Sequence, residues 1–166
     1  IATMKEVKEV APKKRRATPE VVNANMEIST YAQRKQLSLA QKCFEDLHER
    51  GLANSHSYGA IVNAYVRCGD NTGAKAMVDQ MQLERLQPCV VTYTSLLKGY
   101  CGVGLLDAAW ATLQSMMDAK PPVIPNMRTA NTLLRGCLIA GDVKRAVDVF
   151  KRSKKSWGLT PDASSY

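Results

Sequence analysis

The 166-residue chain is poor in several things at once, and each shortage excludes a class of protein. Aromatic residues make up only 6% and glycine only ten positions, although 45% of the chain is apolar, which disfavours a disordered chain and favours a helix-rich one. No apolar run approaches the roughly 18 residues of a membrane-spanning helix, so no membrane partner is expected. The five cysteines (Cys43, Cys68, Cys89, Cys101, Cys137) are an odd number and contain no CxxC pair, against a zinc site or a disulfide framework. They read as small apolar residues in a reducing compartment. Only two histidines are present, His48 and His56, and neither belongs to an HxE with a following CxxC. No aspartate cluster suggests a metal-dependent nuclease. Gly99, Gly102 and Gly104 read as turn glycines and not as a phosphate loop. No catalytic residue, metal, cofactor or small-molecule substrate is therefore expected.

Charge is abundant but unevenly placed. The net charge of +8 divides into +3 over residues 1–20, zero over 21–126 and +5 over 127–166. Basic ends around a neutral middle suit a polyanionic partner such as nucleic acid, because neutralising phosphates releases counterions. The same lysines would also serve a solvated surface, and charge alone leaves both readings open. Residues 1–20 hold the run Pro12 to Arg16 and read as a basic arm, for which a nuclear-import signal and a plain linker are alternatives.

From Val21 onward one unit recurs. In the stretch VVTYTSLLKGYC, Tyr93, Leu96, Leu97 and Tyr100 fall at i, i+3, i+4 and i+7, one face of a helix. A second stripe follows at Leu106, Ala109, Trp110, Leu113 and Met116 before Pro121, Pro122 and Pro125 forbid more helix. Ala40, Ala74, Ala109 and Ala146 recur at spacings of 34, 35 and 37, and Gly69, Gly104 and Gly141 at 35 and 37. The first unit is the weakest, with Glu27 in an apolar slot and Lys35 in place of the turn glycine.

Hairpins with one apolar face per helix cannot bury it alone and must stack. The expected fold is all-α, an α-solenoid of about four helical hairpins at 21–54 (degenerate), 55–89, 90–126 and 127–162. Residues 163–166 would begin a further repeat or a tail.

Tetratricopeptide repeats want a small residue where Ile28, Val62, Leu97 and Leu134 stand, so that family fits poorly. The segments VVTYTSLLKGYCGVGLLDAAWATLQSMM and MRTANTLLRGCLIAGDVKRAVDVF instead resemble the pentatricopeptide repeat family. The resemblance covers residues 21–162 and is strongest from residue 55. It implies a right-handed solenoid in an organelle, mitochondrion favoured over chloroplast, that binds single-stranded RNA one base per repeat without catalysis of its own. Processing, stabilisation or translation of a transcript would be its task.

The resemblance also implies site residues. Base reading falls on the fifth residue of each first helix and the last of each repeat: Asn25 with Asn54, Gly59 with Cys89, Thr94 with Asn126, and Asn131 with Asp162. Base-wedging falls on Val22, His56, Val91 and Arg128. By the family's pairing code these read a pyrimidine, any base, adenine and uracil, 5′ to 3′. Short amides, hydroxyls and carboxylates can present donors and acceptors to a base edge. Helical spacing puts the second, fifth and ninth positions on one side, apart from the packed face. The alternative for Asn54, Asn126 and Asp162 is ordinary helix capping. Phosphate contacts are expected from Lys13, Lys14, Arg15 and Arg16 in the arm, from Arg67, Lys98 and Arg135 along first helices, and from Lys151, Arg152, Lys154 and Lys155 near the end.

Two other functions fit the same residues. One is a structural subunit of a large organellar ribonucleoprotein such as the mitochondrial ribosome, with the basic ends on ribosomal RNA phosphates and protein subunits as neighbours. The other is a protein-binding scaffold whose groove takes a partner helix or peptide.

Overall fold

The computed structural model describes residues 17–160. The basic cluster Lys13 to Arg16, the reading residue Asp162 and residues 163–166 lie outside the described range. Within it the chain forms eight helices: α1 Pro19–Gln33, α2 Leu37–Glu49, α3 Ser55–Arg67, α4 Asn71–Leu83, α5 Val90–Gly102, α6 Leu106–Asp118, α7 Met127–Ala140 and α8 Val143–Lys155. They pair into four antiparallel hairpins, an all-α solenoid.

Local chemistry sets the helix ends. Thr18 caps α1, with Pro19 at the first helical position where its missing N–H costs nothing. Asp70 and Asp142 accept from the backbone N–H groups of Gly73 and Arg145 at the starts of α4 and α8. Between the helices of each hairpin one residue takes the left-handed conformation: Gly69, Gly104 and Gly141, and in the first hairpin Lys35 at φ 56°. Lys35 thus occupies the glycine's backbone state at a cost that glycine avoids.

The first helices form one continuous layer, α1 against α3, α3 against α5, and α5 against α7, whereas the backbone of each second helix comes close only to its own partner and the next first helix. Among the described residues, second helices meet one another only through long side chains, His48 with Gln80 across α2 and α4 and Arg145 with Asp107 across α8 and α6. The layer whose backbones pack more closely is the inner, shorter one, so the first helices line the inner side of the curve and the second helices its outside.

Apolar columns fill the space between layers. Ile61 and Val62 in α3 recur as Leu96 and Leu97 in α5, all at or below 1% exposure. Ala40, Ala74 and Ala109 are fully buried, small enough for the paired helices to approach closely. Burying one such leucine is worth about 2 kcal/mol. The repeats are also tied by polar bridges: Tyr58 and His48 both meet Glu84, and Arg145 pairs with Asp107 while lying over the Trp110 ring. All five cysteines are free, and Cys101 and Cys137 are buried in the core. Burial pushes the Cys101 thiol up to about 12, which leaves it inert as a nucleophile.

Gly99 departs from expectation. It is not a turn residue but sits inside α5, buried, with the Asn71 amide donating to its carbonyl at 3.1 Å. A Cβ there would stand 2.3 Å from Asn71 Oδ1, so the glycine serves the approach of α4 to α5.

Candidate nucleic-acid interface

The N-terminal ends of the first helices carry most of the residues expected to read bases. Asn54 caps α3: its Oδ1 accepts from the backbone N–H groups of His56 and Ser57, and the Ser57 hydroxyl lies 3.2 Å from both Asn54 Oδ1 and Asn54 N. Asn126 repeats the arrangement with Thr129 at the start of α7. Both asparagines therefore make the capping box that their positions allowed, and in each the acceptor oxygen is engaged. Asn126 is exposed, and its amide nitrogen is the group left to face a base, whereas Asn54 is only 3% exposed.

The second, fifth and ninth positions do not share one exposure. Val22, His56, Val91 and Arg128, expected as wedges, are all exposed in the first turns of α1, α3, α5 and α7, and Lys98 and Arg135 at the ninth position are exposed as well. The fifth position is different. Asn25, Gly59 and Asn131 are half-buried, and Thr94 is only 7% exposed. Close stacking of first helices sets the fifth residue of one against the third residue of the next. Thr94 Oγ1 lies 2.8 Å from Thr129 Oγ1, and a Cβ on Gly59 would lie 3.4 Å from Thr92 Oγ1.

This contact exposes residues that the sequence reading passed over. Ser57, Thr92 and Thr129 are buried hydroxyls at the third position, spaced by 35 and 37 like the alanine and glycine columns. The signal was present as a column of Ser/Thr three residues past each cap. In the third hairpin it completes a chain from Thr94 through Thr129 to Asn126, which are the fifth and last residues of that repeat. In the second, Thr92 has only Cys89 Sγ, at 3.5 Å. In the first, Ser57 bonds Asn54 while Asn25 Oδ1 is buried with no hydrogen-bond partner.

The basic residues fall into two groups. Arg67, Lys98 and Arg135 lie on first helices, in the layer of the reading positions. Lys151, Arg152, Lys154 and Lys155 lie on α8, in the outer layer. Arg152 is paired with Asp148 at 2.9 Å and the Lys154 ammonium lies 4.6 Å from the Phe150 ring centre, while Lys151 and Lys155 are exposed. Among the described residues no helix is long and apolar enough to cross a membrane.

Stacked hairpins with a polar column at the helix starts define a repeat protein of the helical-hairpin class. A family model described as "pentatricopeptide repeat-containing protein" matches residues 25–153, and the chain belongs to that family. Among curated proteins it is 31% identical over 107 residues to the pentatricopeptide repeat-containing protein At4g14850 of Arabidopsis thaliana, covering 64% of this chain and 15% of that protein. To the Arabidopsis protein At3g06430, named chloroplastic, it is 27% identical over 150 residues, covering 89% of this chain and 31% of the relative. Other matched relatives are named mitochondrial. The chain thus spans no more than about a third of the length of these relatives. Among solved structures it superposes with a TM-score of 0.77 on the pentatricopeptide repeat protein PPR10, determined in complex with an 18-nucleotide psaJ RNA element. The identity is 24%, over 92% of this chain and 22% of that one.

Proposed function

We propose that this chain binds single-stranded RNA along its inner layer, one base per hairpin, within an organelle, and that it acts without catalysis in processing, stabilising or translating a transcript. The observation that carries the reading is the joining of Thr94 and Asn126 in one hydrogen-bonded column at the mouth of two adjacent first helices. Exposed Val22, His56, Val91 and Arg128 flank these positions as wedges, and Lys98, Arg135 and Arg67 supply phosphate contacts. The likeness to a repeat protein crystallised with RNA supports the same partner.

At about 1–3 kcal/mol per stacked base, four hairpins give roughly micromolar affinity after association costs. The test is binding of the chain to an oligoribonucleotide in the order pyrimidine, any base, adenine, uracil, against permuted sequences. Tighter binding to the first, lost in Asn131→Ala and Asp162→Ala, is expected. Equal binding to all, unmoved by these substitutions, would refute the reading.

A second reading rests on a separate observation. The exposed Lys151 and Lys155 lie on the outer layer, away from the reading column, where they suit the phosphates of a large organellar ribonucleoprotein. Sedimentation of the native protein apart from any large complex would exclude this role.

A further inference from the structure

Thr129 touches neither solvent nor any surface a base could reach, yet it stands between the two residues assigned to read one. Its hydroxyl lies 2.8 Å from Thr94 Oγ1 and 3.1 Å from Asn126 Oδ1, and Thr94 Oγ1 lies in turn 2.7 Å from the Val90 carbonyl. Three oxygen-to-oxygen contacts therefore share two hydroxyl hydrogens. One of them is without a hydrogen in any arrangement.

Three consistent arrangements differ in what they show to a ligand. In one, Thr94 donates to Thr129 and Thr129 donates to Asn126 Oδ1. Thr94 then offers a lone pair, and Asn126, its oxygen engaged, offers amide N–H groups. An acceptor beside a donor complements the Watson–Crick edge of adenine, which presents an N6–H donor beside the N1 acceptor. In a second, Thr94 donates to the Val90 carbonyl and Thr129 to Asn126 Oδ1, with the same display to the base; in the third, Thr94 donates to the Val90 carbonyl, Thr129 donates to Thr94, and only the Thr129 N–H is left on Asn126 Oδ1. The amide, held by one bond fewer, is then freer to turn its oxygen outward, and in that orientation adenine N1 meets an oxygen with no hydrogen between them.

We infer that Thr129 is a specificity-determining positioning residue: packed on Thr94 and donating to Asn126 Oδ1, it holds these side chains as the acceptor–donor pair that selects adenine. The inference rests on the base-reading function proposed above and goes beyond it, because Thr129 is fully buried and is not itself a reading position. The other hairpins serve as internal controls. Gly59 gives Thr92 no hydroxyl to bond, and Asn25 Oδ1 has no partner, so neither relay is complete. Base selection is accordingly sharpest at the third hairpin.

The experiment titrates the 166-residue chain into four fluorescent RNA probes of the form UUXU, with X the base facing the third hairpin, and reads anisotropy. Wild type is expected to bind X = A at least about 5-fold more tightly than X = G, a difference of about 1 kcal/mol or more. In Thr129→Val, which keeps the volume but not the hydroxyl, that ratio falls to between 1 and about 2 while affinity for X = G changes less than about 2-fold; Thr129→Ser restores the ratio. If circular dichroism shows that valine disturbs the fold, Thr129→Cys, similar in size and a far weaker donor, is read by the same criteria. No preference in wild type overturns the base-reading function and this inference together. A full preference retained in the folded Val or Cys variant, or an equal weakening for all four probes, overturns the inference alone.

Discussion

The second and third hairpins have nearly the same frame and quite different mouths. Their first helices are both thirteen residues long, and their buried pairs, Ile61 with Val62 and Leu96 with Leu97, occupy equivalent places. At the reading column the second hairpin has Gly59, Thr92 and Cys89, joined by one sulfur contact at 3.5 Å, whereas the third has Thr94, Thr129 and Asn126 in an unbroken run of polar contacts at 2.8 and 3.1 Å. The frame is held by apolar burial distributed over many residues, so it tolerates drift at a few polar positions. Those polar positions decide what each hairpin can recognise.

The largest effect tests whether the frame is shared. Ile61→Ala and Leu96→Ala should each destabilise the chain by about 3 kcal/mol, from lost transfer energy and the cavity left behind. Urea denaturation followed by circular dichroism should give unfolding free energies within about 1 kcal/mol of each other for the two variants. A difference much larger than that would mean the two hairpins do not have the same packing, and the comparison would fail at its base.

A smaller effect would convert one mouth into the other. A Cβ at Gly59 would meet only Thr92 Oγ1, at 3.4 Å, so the first atom of a side chain is accommodated. The double substitution Gly59→Thr with Cys89→Asn would rebuild the Thr–Thr–Asn column in the second hairpin. Binding to an RNA with adenine at the second base should then tighten by roughly 5- to 10-fold, about 1–1.4 kcal/mol, relative to uracil there. An unchanged ratio would show that the column alone does not confer selection.

The two levels were not equally legible in the sequence. Helix faces, alanine spacings and the replacement of a turn glycine by Lys35 are local patterns, and the structure gives them the expected roles. Asn54 and Asn126 announce helix starts by residue type alone. The relay was hidden because Thr94 and Thr129 are 35 residues apart and meet only when adjacent first helices stack. Gly99 was misread for a related reason: its neighbour is Asn71, a residue of another helix. The outer placement of Lys151 to Lys155 follows from α8 being a second helix, but a charge run in sequence does not say which layer will hold it.

The smallest effect separates capping from reading. Asn126 accepts the Thr129 N–H at 3.0 Å and closes a capping box, while Cys89, in the same position before α5, makes no side-chain cap. Asn126→Ala should therefore cost about 1 kcal/mol of stability and Cys89→Ala close to none. Because a solenoid's stability is a sum over neighbouring repeats, the loss should be concentrated in α7. Hydrogen exchange should show faster exchange at the Thr129 amide in Asn126→Ala and no matching change at Thr92 in Cys89→Ala. Equal losses in the two variants would mean that the asparagine oxygen adds nothing to the helix start. Its engagement by Thr129 would then lack the energy to hold Asn126 in the orientation that presents its amide to a base.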